Sequence, residues 1–183
     1  MALTETRLSV EEYLAGDWPL GTQLIDGEVV VNQPLLPHQF ALANLYALLR
    51  AWAEATPGRG KPGLSVDLTL PESVYAPDVW WVSEARRPKP GQLRLDGLPD
   101  LVIEVRSEST WRFDIGVKRL RYEEGGVAEL WLVDTDSKSV LVYRRSSPER
   151  PDYDVALEIP STEELSSPLL PGFSTEVARI FDY

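Results

Sequence analysis

Two carboxylates stand within or directly before apolar runs that read as strands. Glu104 interrupts the run "LVIEV" at 101–105, and Asp78 follows Pro77 and precedes "VWWV". Carboxylates that converge from neighbouring strands form an oxygen-lined site for a hard divalent cation. Mg²⁺ usually binds through one or two of them, with waters and a substrate phosphate completing its shell. The pair therefore predicts a Mg²⁺ or Mn²⁺ site formed by Asp78 and Glu104.

Each carboxylate alone also has an ordinary structural interpretation. Because strand side chains alternate, Glu104 and Arg106 share one face and could form a buried ion pair. Asp78 stands where caps and turn formers are common. The two carboxylates together favour a functional site more strongly than either residue does by itself.

A lysine follows on the next predicted helix. Asp114 and Lys118 are four residues apart in a helix expected from about 109 to 124, so they share one face, with Tyr122 one turn further. Gly125-Gly126 supplies the usual C-terminal stop. The same spacing also suits an exposed ion pair without function, and the spacing by itself leaves both interpretations open.

The remaining pattern predicts the frame that carries these residues. Ser9 and Glu12 have capping-box spacing, Asp26-Gly27 predicts a hairpin turn, and apolar residues at helical spacing predict a long helix over 38–55. Further strands are predicted at "LSVDLTL", "DVWWVS", "DLVIEVRS" and "YDVALEIP", with a hairpin of "ELWLVD" and "SVLVYRR" around "TDSK". These elements predict an α/β fold in which helices flank one mixed central sheet, as a single domain over residues 1–183.

Charge is distributed unevenly along the chain. The formal net charge of −11 argues against a generic nucleic-acid coat. Residues 84–122 nevertheless hold nine of the 18 basic residues and six acids, which gives this segment a charge of +3 and the rest of the chain −14. This basic segment could bind an anionic partner locally, or its charges could simply be solvated.

The composition argues against several classes of protein. With no cysteine, the chain has neither disulfides nor a thiolate metal site, which suits a reducing cytoplasm. The N-terminal "MALTETRLSVEEYLAG" lacks the basic flank and apolar core of a secretory signal. The longest mostly apolar stretch, "FALANLYALL", is far short of a membrane span. We expect a cytoplasmic protein with no membrane partner.

An ordered series of motifs resembles a known family. The series "DGE" (26–28), His38, "PDV" (77–79), "IEVRSEST" (103–110), Asp114, Lys118, Tyr122 and "ELWLVD" (129–134) resembles the Uma-two family of the PD-(D/E)xK nuclease superfamily, over residues 24–145. The resemblance implies a restriction-endonuclease-like fold with a mixed central sheet flanked by helices. It also implies a Mg²⁺- or Mn²⁺-dependent endonuclease that acts on nucleic acid, with DNA as the expected substrate.

The chain departs from the superfamily at one position. The superfamily's lysine stands two residues after the acidic residue, where this chain has Arg106. Arginine stays protonated and cannot accept a proton from water. The Uma-two resemblance implies that Lys118, on the following helix, takes the lysine's role by orienting the water and offsetting charge on the phosphate. Arg106 would instead hold substrate phosphate, together with the loop residues Arg86, Arg87 and Lys89.

The resemblance implies roles for two further residues. Glu28, in the "DGE" motif, would be a third acidic group near the metal, or simply a solvated residue after a hairpin turn. His38, the only histidine, would lie near the site, or would cap the long helix.

Two other functions remain open at this point. A binding module with the same fold would dock nucleic acid or protein without cleaving it, which Arg106 at the lysine position allows. A structural or interaction protein would use the strand tryptophans (Trp80, Trp81 and Trp131) as a dimer interface, although strand tryptophans more often belong to the core. For a nuclease, a homodimer would suit the cutting of both strands of a duplex.

Overall fold

The computed structural model describes residues 7–183. Residues 1–6, at the start of the stretch for which we expect no secretory signal, lie outside this part of the chain. The α-helices are α1 (Val10–Ala15), α2 (Leu36–Ala55), α3 (Trp111–Phe113) and α4 (Arg119–Glu124). The strands are β1 (Thr22–Ile25), β2 (Glu28–Val31), β3 (Lys61–Leu64), β4 (Leu68–Leu70), β5 (Ser73–Tyr75), β6 (Val79–Val82), β7 (Leu101–Val105), β8 (Glu129–Asp134), β9 (Ser139–Arg144), β10 (Val155–Pro160), β11 (Glu164–Ser166) and β12 (Ser174–Glu176).

Several local sequence signals form the elements that they predict. Ser9 and Glu12 make both hydrogen bonds of a capping box at the start of α1. Asp26-Gly27 joins β1 to β2, with both residues at positive φ. The long helix begins at Leu36, slightly earlier than predicted, because proline at 37 suits the first turn of a helix.

The central sheet has six strands in the order β10-β9-β8-β7-β6-β3. β7 and β8 pair in parallel, whereas the other neighbours are antiparallel, which confirms the predicted mixed sheet. The prediction of a single sheet is incomplete, because β2-β1-β5-β4 form a second, antiparallel sheet and β11 pairs with β12. Strands of three residues, such as β4 and β5, are too short to show a periodicity in sequence.

Different elements cover the two faces of the central sheet. α2 packs Leu45 against the face that carries Ile103. On the other face, Val102 packs in a cluster that includes Tyr122 and residues of the second sheet. Because Glu104 alternates with Ile103, it belongs to this second face. No helix between residues 7 and 183 combines the length and apolar character that a membrane span requires.

The strand tryptophans belong to the core. Trp80, Trp81 and Trp131 are 8%, 5% and 0% exposed. Trp81 donates its indole N–H to the Arg59 carbonyl oxygen, and Trp131 donates its own to Glu129. The idea that these tryptophans form a dimer interface is therefore wrong, since the chain itself covers them.

The helix predicted over 109–124 is interrupted. Between α3 and α4 lies a π-helical segment, Asp114–Lys118, in which Gly116 has non-helical angles (φ −105°, ψ −108°). We call residues 111–124 the kinked helix. Asp114 and Lys118 are both buried, so the exposed ion pair that their spacing also suited is not what forms. Single π-type turns within helices often occur at functional sites.

A further buried acid, Glu129, lies at the end of the sheet where β7 and β8 begin. Glu129 opens β8 and pairs in register with Leu101, the first residue of β7. Its carboxylate accepts hydrogen bonds from Trp131 Nε1 and Ser167 Oγ, each at 2.6 Å. Burial raises the pKa of Glu129 even though these two donors oppose the shift.

This burial predicts a pH-dependent effect of Glu129→Gln. An acid whose pKa rises on folding adds stability at low pH that is lost as the pH rises through its folded-state pKa. Glutamine can accept from Trp131 and donate to Ser167 without ionising. We expect the variant to be more stable than wild type at pH 8, where the buried wild-type carboxylate is ionised. Thermal unfolding should show this advantage shrinking toward pH 4, and a difference independent of pH would contradict the expectation.

Candidate active site

Asp78 and Glu104 lie side by side at one end of the central sheet. β6 pairs antiparallel with β7, with Val79 opposite Ile103, and continuing this register by one residue sets Asp78 opposite Glu104. Directly opposed side chains on one face have Cβ atoms about 5 Å apart. Asp78 Oδ2 also accepts a hydrogen bond of 2.7 Å from the Val105 backbone N–H. The structure thus brings together the two carboxylates that the sequence singled out.

Lys118 is the counter-charge of Glu104. Its Nζ lies 2.6 Å from Glu104 Oε1 and 2.8 Å from Asp114 Oδ1. Tyr122 donates its hydroxyl to the same Glu104 oxygen at 2.7 Å. At these distances the ammonium makes charge-assisted contacts with both carboxylates, which hold Lys118 from two sides. The kinked helix therefore places Lys118 in contact with Glu104 on β7.

The buried cluster holds more acid than base. Burial raises the pKa of Glu104 to about 8, the Lys118 ammonium opposes that rise, and Asp114 and Asp78 add to it. Burial alone would lower the pKa of Lys118, but Asp114 and Glu104 more than reverse this and hold it above its ordinary value. Lys118 therefore keeps its proton at neutral pH, so it can donate to an oxygen or oppose negative charge but cannot act as a base.

His38 lies beside Asp78. Its Nε2 is 3.1 Å from Asp78 Oδ1, and the ring is 3% exposed in the first turn of α2. The contact is not a directed hydrogen bond, and Nδ1 has no protein partner between residues 7 and 183. The imidazole therefore contacts the carboxylate cluster from the α2 side.

Arg106 does not pair with Glu104, which corrects the ion pair expected from strand alternation. Its Nη1 lies 3.0 Å from Asp134 and its Nη2 lies 2.8 Å from Asp136, and the guanidinium packs over the Trp111 ring at 5.4 Å. The reason is that β7 ends at Val105, so alternation no longer fixes the next side chain. Arg106 instead ties the β8–β9 turn to the start of the kinked helix.

Glu28 stands apart from the carboxylate cluster. It is exposed on β2, with its carboxylate 3.7 Å from the Arg112 guanidinium. This is the environment of a solvated residue after a hairpin turn, and its contacts do not include Asp78 or Glu104.

The basic loop lies at the other end of β6. Asp78 directly precedes this strand, whereas Arg86, Arg87 and Lys89 follow it, so about 13 Å of strand separates them. Arg86 is engaged by Asp100 Oδ1 at 2.5 Å and by the carbonyl oxygens of residues 96 and 98. The structure therefore does not bring this loop to the carboxylates.

A shallow groove forms where this loop meets the edge of the sheet. It has a volume of about 840 Å³, and its cationic lining comes from Lys61, Arg87 and Lys89, with Glu84 also at its wall 3.2 Å from Arg87. Tyr46 and Trp80 add aromatic side chains. We call these three cationic and two aromatic residues the basic groove.

Sequence reasoning missed three residues that support the cluster. Thr110 Oγ1 donates to Asp114 Oδ2 at 2.9 Å and lies 2.7 Å from Ser107 Oγ. The Tyr75 ring centroid is 5.5 Å from Lys118 Nζ, in the geometry of a cation–π contact. The polar run "RSEST" after a buried strand was the available signal for the two hydroxyls, whereas Tyr75 gave none.

The donor set fits a divalent metal that uses few protein ligands. Between residues 7 and 183, no group of three or more His, Cys, Asp or Glu side chains is arranged to hold a metal ion unaided. Mg²⁺ needs only one or two carboxylates when water and phosphate complete its shell. Asp78 and Glu104 are adjacent hard-oxygen donors, and within residues 7–183 the Glu104 carboxylate is contacted by Tyr122 and Lys118 through Oε1. A divalent cation would also favour the ionised form of Glu104, whose pKa burial raises to about 8.

Comparison with known proteins agrees with this fold. A crystal structure of "a putative nuclease belonging to DUF820" from Anabaena variabilis superimposes with a TM-score of 0.79 at 16% identity, over 95% of this chain and 97% of that one. No curated protein matches the chain in sequence. The profile of the Uma2 family, described as "Putative restriction endonuclease", matches residues 10–178. By this match over nearly its whole length, the chain belongs to the Uma2 family.

Proposed function

We propose that this protein is a metal-dependent nuclease that hydrolyses phosphodiester bonds of nucleic acid. Its family membership supports a nuclease-like function in general terms. One observation carries the finer proposal: Asp78 and Glu104 are cross-strand neighbours, and a protonated lysine lies 2.6 Å from Glu104. Adjacent carboxylates can hold a catalytic metal, and a fixed ammonium can stabilise the charge that grows on the phosphate.

Each side chain has a defined task in this proposal. Asp78 and Glu104 would hold Mg²⁺ or Mn²⁺, which when bound polarises a phosphoryl oxygen and lowers the pKa of water. Lys118, held by Asp114, orients the attacking water and opposes the negative charge that grows on the phosphate. His38 borders Asp78 and limits the positions that this carboxylate can take.

The proposal extends to the substrate and the assembly. The basic groove offers cations to a phosphate backbone, and Arg106 remains a candidate contact because it is part-exposed near the carboxylates. DNA is the expected substrate. A homodimer is the proposed assembly, since two sites would cut both strands of a duplex. The cytoplasm is the proposed compartment, because the chain contains no cysteine.

A cleavage assay tests the proposal directly. Plasmid DNA, single-stranded DNA and RNA are incubated with the protein in Mg²⁺, in Mn²⁺ or in excess chelator, with Glu104→Gln as the matched control. We expect cleavage by wild type in either metal, none in chelator and none by the variant. Equal products from the variant would assign the activity to a contaminant, and no cleavage of any substrate would overturn the proposal.

Metal binding itself should depend on both carboxylates. We expect Asp78→Asn and Glu104→Gln each to weaken Mn²⁺ binding about tenfold or more, because each removes one charged oxygen ligand. Isothermal calorimetry measures the affinity, and circular dichroism checks the fold. Glu28→Gln is the control, since Glu28 lies outside the cluster and should bind as wild type does. Wild-type protein that binds no divalent ion at millimolar concentration would remove the metal from the proposal.

Burial of the cluster favours one second candidate. Asp78 and Glu104 are only 8% and 3% exposed, so a scissile phosphate reaches them only if the surrounding loops move. A protein that keeps this site closed would bind nucleic acid without cutting it. Binding without metal-dependent cleavage in the assay above is the result that selects this candidate.

A further inference from the structure

Three neighbouring hydroxyls, of Ser109, Ser107 and Thr110, lie in succession between the surface and Asp114, the carboxylate that contacts the buried lysine. Ser109 Oγ lies 3.2 Å from Ser107 Oγ, which lies 2.7 Å from Thr110 Oγ1. Thr110 Oγ1 donates to Asp114 Oδ2 at 2.9 Å, and Asp114 Oδ1 is 2.8 Å from Lys118 Nζ. Ser107 and Thr110 are 5% and 3% exposed, so neither hydroxyl relies on bulk water for its partner.

The position of Asp114 decides where Lys118 points. Because Glu104 and Asp114 hold the ammonium between them, the positions of these two carboxylates set where it lies. Glu104 is fixed by its strand and by the Tyr122 hydroxyl. Asp114 begins the π-helical segment, two residues before Gly116, where regular helical geometry is lost. It therefore depends on side-chain contacts more than Glu104 does.

Thr110 supplies a side-chain contact to Asp114 and is itself held by backbone hydrogen bonds. Its backbone N–H donates to Ser107 Oγ at 3.2 Å, and its carbonyl oxygen accepts from the Asp114 N–H at 3.1 Å. Its hydroxyl then fixes the Asp114 carboxylate itself. At the outer end, Ser109 Oγ donates to Asn32 Oδ1 and accepts from the Gln33 N–H, each at 3.3 Å. This series of hydroxyls is thereby anchored on the segment that precedes α2.

We propose that Thr110 is a positioning residue, which fixes Asp114 so that Lys118 is aimed at the phosphate site. The inference rests on the proposed function, because Lys118 needs aiming only if it acts on a substrate. Without the Thr110 hydroxyl, Asp114 Oδ2 loses its donor and the carboxylate can turn, so Lys118 loses one of the two contacts that fix its ammonium. Small displacements of a catalytic group lower rates far more than they lower substrate affinity.

Three substitutions separate positioning from general stability. Thr110→Val keeps the shape and removes the hydroxyl, Thr110→Ser keeps the hydroxyl, and Thr175→Val is a matched buried threonine on β12. We expect Thr110→Val to lower kcat about tenfold with little change in KM. Thr110→Ser should restore kcat, and Thr175→Val should leave it unchanged. A wild-type kcat in Thr110→Val, or a loss that serine does not restore, overturns the inference.

A second measurement does not depend on cleavage. The chain has four lysines, and Lys118 is fully buried, so its side-chain ammonium is observable by nitrogen-15 NMR and assignable with Lys118→Met. We expect Thr110→Val to shift or broaden this signal, and Thr110→Ser to preserve it. An unchanged signal in Thr110→Val overturns the positioning role. A shifted signal in a protein whose wild type cleaves nothing overturns the proposed function and leaves the link from Thr110 to Lys118 standing.

Discussion

Lys118→Met is expected to lower the rate of phosphodiester cleavage about 100-fold or more, with little change in substrate affinity. Loss of one donor that opposes charge in the transition state typically costs this much. Lys118 is fully buried and lies 2.6 Å from Glu104, so a substrate meets it only when the reacting phosphate is at the carboxylates. If Lys118 interacts with the transition state and not with the bound substrate, its removal lowers kcat and kcat/KM by the same factor.

Single-turnover assays on metal-loaded protein measure this loss, and binding assays and melting temperatures accompany them. Lys138→Met is the matched control, because it removes an exposed lysine from the β8–β9 turn. Arg106→Met is the informative comparison. Since Arg106 pairs with Asp134 and Asp136, we expect that variant to lose stability and to keep its chemical rate. A Lys118→Met protein that cleaves normally, beside an Arg106→Met protein that binds but does not cleave, would give the role of the lysine to Arg106.

The convergence of the two carboxylates could be predicted because it depends on local rules. A polar residue directly before a strand lies at a sheet end, and one inside a buried strand needs a partner on its own face. Asp78 meets the first condition and Glu104 meets the second. The pairing of β6 with β7 makes them neighbours. The parallel pair β7–β8 likewise follows from a strand, a helix and a strand in succession.

The partners of these residues could not be predicted in the same way. The i, i+4 spacing of Asp114 and Lys118 is the same for an exposed pair and for a buried one, and the π-helical segment leaves no periodic signal. The predicted Glu104–Arg106 pair assumes that the alternation of strand side chains continues to Arg106, but β7 ends at Val105. Such outcomes depend on tertiary contacts with Asp134 and Asp136, which lie in a different hairpin.

The basic segment of the sequence also does not form a single basic surface in the structure. Residues 84–122 form one basic window along the chain, but β7 runs through it. Arg87 therefore lies at one end of the sheet and Lys118 at the other. The sequence identified the basic residues correctly, but it could not show that Arg86 is engaged by Asp100 or that Lys61, from a distant strand, joins the same groove.

Reversal of charge in the basic groove is expected to weaken nucleic-acid binding about 100-fold at low salt. The variant combines Lys61→Glu, Arg87→Glu and Lys89→Glu. Arg87 pairs with Glu84 at the exposed surface, whereas Arg86, which Asp100 and two carbonyl oxygens hold, is left in place. Each phosphate contact releases condensed counterions, so the logarithm of affinity falls with the logarithm of salt concentration by about 0.9 per contact. Removing three contacts should make this slope shallower by about 3.

Binding to labelled duplex and single-stranded DNA is measured in excess chelator, where no cleavage intervenes, across a series of salt concentrations. A matched variant changes the net charge equally on surfaces outside the groove, by Arg7→Glu, Arg150→Glu and Arg179→Glu. If the groove holds the backbone, the groove variant loses both affinity and slope, whereas the matched variant changes the slope little. Equal effects of the two variants would mean that only the overall charge matters. An unchanged slope in the groove variant would assign the phosphate contacts to another surface, with Arg106 at the carboxylate end of the sheet as the next residue to change.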